Sequence, residues 1–274
     1  CILFNRDIWN GLEFDGKQDL YDLVEAGGWT AEALETYTRL YGTDNGDGVY
    51  DRQDTYGLVY QDQQSTAFLY GYGETIVRAD PANGTYSLGL TPMKMNGIAA
   101  KLNTLVYQSD NHVFHGACNY GTFGQSEMWE VFRNGRALFM TYDIGALYRY
   151  LIETKQDIGY LPIPKYDGEQ ENYNVLCAAG FVAIPYLAAD TEMSAILLEA
   201  LAIDSYLNYR PVFIKNILLG RLSEEPRDYQ MLEFLHDRKT YDIGYTFDID
   251  GVAVDLLLVV AINKKSTNVS GYLT

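Results

Sequence analysis

The chain has 274 residues, 47% of them hydrophobic and 21% charged, which is enough for a sizeable core in one or two domains. A formal net charge of -17 leaves no basic footprint for nucleic acid and disfavours adsorption to anionic lipid. The cysteines, Cys1, Cys118 and Cys177, lack metal or redox spacing, and the best membrane-span candidate, 252–262, is short and interrupted by Asp255.

In chain order, Ile2–Phe4 reads as a strand that ends at Asn5. Leu20–Ala26 is an amphipathic helix stopped by Gly27 and Gly28. Thr30 is placed to cap the next helix, with Glu32 and Glu35 in its early turns, through about Tyr41. Then comes TDNGDGVYDRQD, Thr43–Asp54. An EF-hand type of loop has oxygen ligands at positions 1, 3, 5, 7, 9 and 12 and Gly at 6. With Gly48 as that glycine, Asn45, Asp47, Asp51 and Asp54 fall on side-chain positions and Val49 supplies its carbonyl. Thr43 stands where the first Asp belongs, and Asp54 replaces a bidentate Glu. The loop is a candidate for a weak calcium site.

Tyr56–Tyr60 reads as a strand, Ser65–Tyr70 as a helix, and Glu74–Arg78 with Thr85–Leu90 as a hairpin around Pro81 and Gly84. Met93–Tyr107 is a long helix. Gln125–Arg133 has helical spacing and stops at Asn134-Gly135. Ala137–Thr141 is a buried strand, Asp143 begins a helix to about Thr154, and Asp157–Leu161 is a strand ended by Pro162 and Pro164. That alternation is the rhythm of an α/β domain. Gly180–Pro185 reads as another strand and Thr191–Leu207 as a strongly apolar helix. Further helices are expected at Pro211–Leu219, Tyr229–His236 and Val252–Asn263.

Six blocks, in this order, carry a resemblance: ILFNRDIW, GGWTAEALETY, TDNGDGVYDRQDTYGL, VFRNGRALFMTYDIG, DIGYLPIPKYDG, and GFVAIP followed by a Glu- and Ala-rich helix. Together they resemble the bacterial extracellular solute-binding protein family 1, the substrate-binding proteins of ABC importers that include maltose-binding protein. The resemblance covers nearly the whole chain. It implies an α/β, periplasmic-binding-protein-like fold of type II, two-lobed, with this chain a fragment containing mainly the second lobe. Residues 1–176 would be that C-terminal lobe. Residues 177–205 would be the hinge return, with a strand and helix belonging to the mostly absent first lobe, and 206–274 would be C-terminal helices packing on the second lobe. The apolar face of 178–202 is then expected to be under-packed.

The implied function is capture of a small polar solute, a sugar or oligosaccharide, in an inter-lobe cleft, and its delivery to ABC permease subunits by a monomer. No cofactor is required, and calcium in the acidic loop would be a structural clip away from the ligand. The implied location is the outer face of the cytoplasmic membrane or the periplasm, with a signal peptide or a lipoprotein's anchor on the part preceding this chain. A lipid on Cys1 itself is disfavoured, because CILF reads as a strand rather than a polar tether.

Ligands in open α/β sheets lie beyond the carboxyl ends of strands. Tyr142 and Asp143 follow Ala137–Thr141, and Asn5 and Arg6 follow the first strand, so these four are ligand candidates. Asp143 either accepts sugar hydroxyls or caps its helix, and Tyr142 either stacks on a pyranose face or packs. Tyr70 and Tyr72, flanking Gly71 and beside Gly73, are a candidate pocket wall. Trp29 is either a ligand platform or core. The competing readings are a glycan-active enzyme with a carboxylate pair and a sensor or adhesin on the same fold. The chain contains no HExxH, Gly-x-Ser-x-Gly, P-loop or GxGxxG pattern, and His112 and His115 lack metal spacing, so the enzyme reading rests on abundant acids alone.

Overall fold

The computed structural model describes residues 1–116, 127–145, 154–178, 182–213, 225–247 and 258–269. Its central sheet is built from β1 (Ile2–Asn5), β2 (Gly42–Thr43), β3 (Thr55–Gln61), β6 (Val113–Gly116), β7 (Ala137–Thr141) and β8 (Ile158–Leu161), in the order β2-β3-β7-β1-β8 with β6 beside β3. β3 is parallel to β6 and β7, whereas β1 is antiparallel to both of its neighbours, with Ile2 opposite Thr141 on one side and Leu161 on the other. Hence β3, β6, β7 and β8 all run one way, and β1 and the two-residue edge strand β2 run against them. Every residue of β1, β7 and β8 is buried, as expected for apolar strands covered on both faces.

Local chemistry sets the helix starts. α1 (Arg6–Gly11) follows β1 directly because the Asn5 carbonyl oxygen of the side chain accepts the Ile8 N–H at 3.0 Å. Asp19 caps α2 (Leu20–Glu25) in the same way, and Thr30 caps α3 (Ala31–Thr38) by accepting from Ala33 N–H. α3 ends at Thr38, short of Tyr41, where the chain turns into β2. It crosses β3 so closely that a Cβ on Gly57 would lie 1.7 Å from the Thr38 carbonyl oxygen, so only glycine fits there. α4 (Ser65–Gly71) is buried throughout, and α5 (Pro92–Tyr107) and α6 (Glu127–Arg133) each bury an apolar face. Between α4 and α5, β4 (Val77–Asp80) and β5 (Thr85–Leu88) form a hairpin that stays largely exposed.

Beyond residue 161, the two-residue strands β9 (Val175–Leu176) and β10 (Lys239–Thr240) pair in parallel. α7 (Thr191–Asp204) is prolonged by a wide helical turn over Ser205–Tyr209 and a further turn to Val212. α8 (Arg227–Asp237) and α9 (Ile243–Phe247) follow, and a final wide turn, Leu258–Asn263, is fastened to α5 by Tyr107, whose hydroxyl donates to the Ile262 carbonyl at 2.7 Å.

Several sequence expectations shift. No strand exists at 182–185, where Val182 is 78% exposed and without a pairing edge, while 180–181 lie outside the described residues. The helix expected at 211–219 is seen as far as Val212, and the one expected at 252–263 only from Leu258. Most of the helix expected after Asp143 also lies outside the described residues, as does Cys118. β2, β6, β9 and β10 have no counterpart among the strands expected from the sequence. Among the described residues no helix is long and apolar enough to cross a membrane.

Candidate functional site

Because β3, β6, β7 and β8 run in the same direction, their carboxyl ends form a single edge, where Gln61, Gly116, Thr141 and Leu161 come together with the start of β1. Such an edge is where an open α/β sheet offers its loops to a ligand. Gln61 N–H donates to Thr141 Oγ1 at 2.9 Å, tying the ends of β3 and β7 together. The Gln61 side chain is 1% exposed, and its Oε1 has no hydrogen-bond partner among the described residues. A buried carbonyl oxygen without a donor is costly, on the order of 1–3 kcal/mol, so this end of β3 carries unspent hydrogen-bonding capacity.

The neighbouring Asp62 faces His115 Nδ1 at 3.2 Å, and the Tyr107 ring stands edge-on to the His115 ring at 5.0 Å. Ser65 Oγ donates to the Asp62 backbone carbonyl at 2.7 Å and also meets Tyr60 Oη at 2.8 Å, which fixes the turn from β3 into α4. On the β7 side, Tyr142 is 5% exposed, held edge-on to Trp129 at a 4.5 Å centroid distance, and Asp143 beside it is exposed. The edge therefore carries acceptors from Gln61, Asp62 and Asp143 and the hydroxyl of Thr141, of which Asp143 is exposed and the other three are buried as folded, backed by a packed aromatic layer. That set suits a ligand rich in hydroxyl donors.

The structure separates the sequence-derived candidates. Tyr142 and Asp143 lie at this edge, although the Tyr142 ring is committed largely to Trp129. Asn5 and Arg6 lie at the opposite end of the sheet, because β1 is antiparallel: Asn5 pairs with Ile158, the first residue of β8. Asn5 is there a helix cap that also donates to Gln156 Oε1 at 2.9 Å. Arg6 binds Asp157 and, at 2.7 Å, Asp228. Burial works against its charge, but Asp228 and Asp157 hold its pKa above the ordinary arginine value. Tyr70, Tyr72 and Trp29 do not face a cleft. Tyr70 is fully buried and donates to Asp242 Oδ2 at 3.0 Å, and burial with that carboxylate pushes its phenol far upward. Tyr72 packs edge-on to Phe68 and Tyr166, and Trp29 donates from Nε1 to the Pro162 carbonyl at 2.9 Å. Arg210 bridges to Glu233 at 2.9 Å.

Gln61, Asp62 and His115 escaped the sequence reading. The rule applied to Thr141 applies equally to the strand ending at Tyr60, and the polar run Gln61-Asp62-Gln63-Gln64 behind it was the available signal.

The acidic loop closes on itself. Asp54, 1% exposed, accepts the N–H of Asn45 and of Asp51 on its two oxygens at 2.8 and 2.7 Å. Asn45 accepts from Asp47 N–H, Asp47 from Val49 N–H and Asp51 from Gln53 N–H. Asp44 takes the N–H groups of Gly46 and Gly48. Among the described residues no three His, Cys, Asp or Glu side chains converge to hold a metal ion.

No protein-family profile and no curated protein matches the chain. Solved structures do. A maltose/maltodextrin-binding domain from Bdellovibrio bacteriovorus bound to maltotriose matches at TM-score 0.55 with 18% identity, over 94% of this chain and 62% of its own. The Thermus thermophilus maltotriose-binding protein, also with maltotriose, matches at 0.60 with 14% identity over 98% and 66%. UgpB from Mycobacterium tuberculosis in complex with glycerophosphocholine matches at 0.55 with 14% identity over 99% and 66%. The first two are named as binding proteins, and the chain spans roughly two thirds of the length of each of the three. The α/β sheet, with β1 reversed between β7 and β8, is therefore that of the type II periplasmic-binding-protein-like fold, of which this chain represents the greater part.

Proposed function

We propose that this chain captures a small, hydroxyl-rich solute, a sugar or oligosaccharide, at the carboxyl edge of its sheet and performs no reaction on it. The observation that supports this most is the buried, unpartnered Gln61 Oε1 beside Asp62, Thr141 and Asp143. In this reading the solute's hydroxyls donate to Gln61 and Asp62, and His115 holds the Asp62 carboxylate in place. The solute bridges to a second lobe and stabilises a closed form by its differential affinity for it. The closed form would dock on ABC permease subunits outside the cytoplasmic membrane.

The test is a thermal-shift screen against a panel of sugars, followed by calorimetry on the best ligand. Asp62→Ala should weaken binding about 10- to 100-fold, the worth of a charge-assisted hydrogen bond of roughly 1.5–3 kcal/mol. Gln61→Leu should weaken it about 3- to 10-fold. Unchanged affinity in both variants would remove this edge as the ligand site.

The acidic loop has no part in this capture. Asp54 ties the loop together by accepting the Asn45 and Asp51 N–H groups, and calcium there is proposed as a structural clip only. Calorimetry should detect no calcium uptake below the millimolar range, the weak end for such loops. Micromolar affinity would show that the side chains rearrange into a cage.

A further inference from the structure

Asn-Gly pairs are chemically vulnerable points of a chain, because glycine puts no side chain in the way when its backbone nitrogen approaches the asparagine amide. The chain has five of them, beginning at Asn10, Asn45, Asn83, Asn96 and Asn134. Attack needs a glycine N–H that is not held by an acceptor and a backbone free to turn. Four of the five pairs fail that condition. Asn10-Gly11 and Asn96-Gly97 lie within α1 and α5, where the helical ladder engages the glycine N–H. Gly46 N–H donates to Asp44 Oδ1 at 2.6 Å, and Gly135 N–H to the Phe132 carbonyl at 3.0 Å.

Asn83-Gly84 differs. The pair forms the tip of the β4–β5 hairpin, both residues are exposed, and the Gly84 N–H makes no hydrogen bond among the described residues. Gly84 has a φ of +63°, and a Cβ built on it would meet nothing within 4 Å, so no neighbour packs against the turn. The Asn83 side chain is restrained by a single exposed bond, from Nδ2–H to Asp80 Oδ2 at 2.6 Å. The base of the hairpin is fastened, by contrast. Asp242, 4% exposed, accepts the Ile76 and Val77 N–H groups on Oδ2 at 2.6 and 3.2 Å. The tip can therefore rearrange while the body stays folded.

We propose that Asn83 is a site of spontaneous deamidation, and the Asn-Gly pair that converts first in the folded chain. The Gly84 nitrogen, giving its proton to solvent base, forms a bond to Asn83 Cγ. The Cγ–Nδ2 bond breaks and ammonia leaves, closing a succinimide ring. Water then opens the ring at either carbonyl, which leaves aspartate or isoaspartate at position 83. The product has lost the amide donor that holds the Asp80 carboxyl below its ordinary pKa, and it sets a second carboxylate beside Asp80. The isoaspartate form also lengthens the main chain between Asp80 and Thr85, which pair across the hairpin. Both changes loosen the tip.

The test holds the purified chain at about pH 8.5 and about 37 °C and follows it by peptide mass mapping. The peptide carrying Asn83 should gain about 1 Da, as separate aspartate and isoaspartate forms, at a rate at least about 10-fold above any other Asn-Gly peptide. In urea, where every glycine N–H is released, the five rates should converge to within a few-fold. Asn83→Gln should abolish the early mass gain and leave the melting temperature unchanged. Another Asn-Gly pair converting first in the folded chain would overturn the proposal. So would a lead of Asn83 that persists undiminished in urea, since flanking residues rather than the fold would then set it.

Discussion

Replacing Arg6 with Ala is expected to destabilise the fold by about 3–5 kcal/mol at pH 8, read as a lowered urea midpoint, because it strands a buried carboxylate. Arg6 sits where β1 gives way to α1 and donates to Asp157 and Asp228, while Tyr21 Oη also donates to Asp228. The Asp228 side chain is fully buried, and its second oxygen has no partner among the described residues. One guanidinium thus joins the end of β1, the approach to β8 and the first turn of α8. On the rim of the same cluster, Arg227 binds Asp19, Asp22 and Glu25 of the α2 region at 2.8–3.0 Å. Those pairs are solvent-exposed and should each be worth under about 1 kcal/mol, so Arg227→Ala serves as the mild control.

The pH dependence of the Arg6 variant separates a stranded charge from lost packing. Burial raises the Asp228 pKa from 3.8 to about 6, although Tyr21 and Arg6 pull it down. Because the folded value lies above the unfolded one, folding takes up a proton, and this group's contribution to stability falls as pH rises from about 4 to 6. It is level outside that window. Removing Arg6 removes a downward pull, so in Arg6→Ala the carboxyl stays neutral to a higher pH and the loss measured at pH 5 should be clearly smaller than at pH 8. Equal losses at both values would mean that the guanidinium acts by packing on the Phe4 and Tyr21 rings, which lie 5.2 and 5.7 Å from it.

This cluster also shows what a sequence can and cannot disclose. Thr30, Asn134-Gly135 and Pro162 are local punctuation, and the elements they bound appear where expected. Arg6 and Asp228 are 222 positions apart, and no local signal pairs them. Strand direction is equally silent. Ile2–Asn5 looks like any apolar strand, and only its antiparallel pairing with β7 and β8 places Asn5 and Arg6 away from the carboxyl edge of β3, β7 and β8. β6 and the two-residue strands β9 and β10 are short and partly exposed, so their residues lack the unbroken apolar run that disclosed β7. The site was half legible for the same reason. Tyr142 and Asp143 follow a strand whose end is evident, whereas Gln61 and Asp62 become candidates only once β3 is known to run beside β7 in the same direction.

Trp29→Ala is expected to cost a further about 3–5 kcal/mol, the range for truncating a large aromatic in a core, and to lower the melting temperature by roughly 10 °C. The side chain is fully buried between Tyr37, stacked at 6.4 Å, and Phe139, tilted at 5.8 Å. Its Nε1–H satisfies the Pro162 carbonyl, and its own N–H donates to Tyr173 Oη at 3.2 Å. The indole therefore locks the start of α3 to the segment leaving β8, and the backbone ladder Ala31 N–H to Lys165 O and Lys165 N–H to Trp29 O runs beside it. Trp29→Phe keeps most of the apolar volume and removes one hydrogen bond, so it should cost only about 1–2 kcal/mol. That conservative variant is the decisive one for function. A core residue leaves solute affinity unchanged once the protein is folded, whereas an aromatic platform would bind sugar more weakly with the smaller ring. The packing of Trp29 predicts unchanged affinity, with the loss confined to stability.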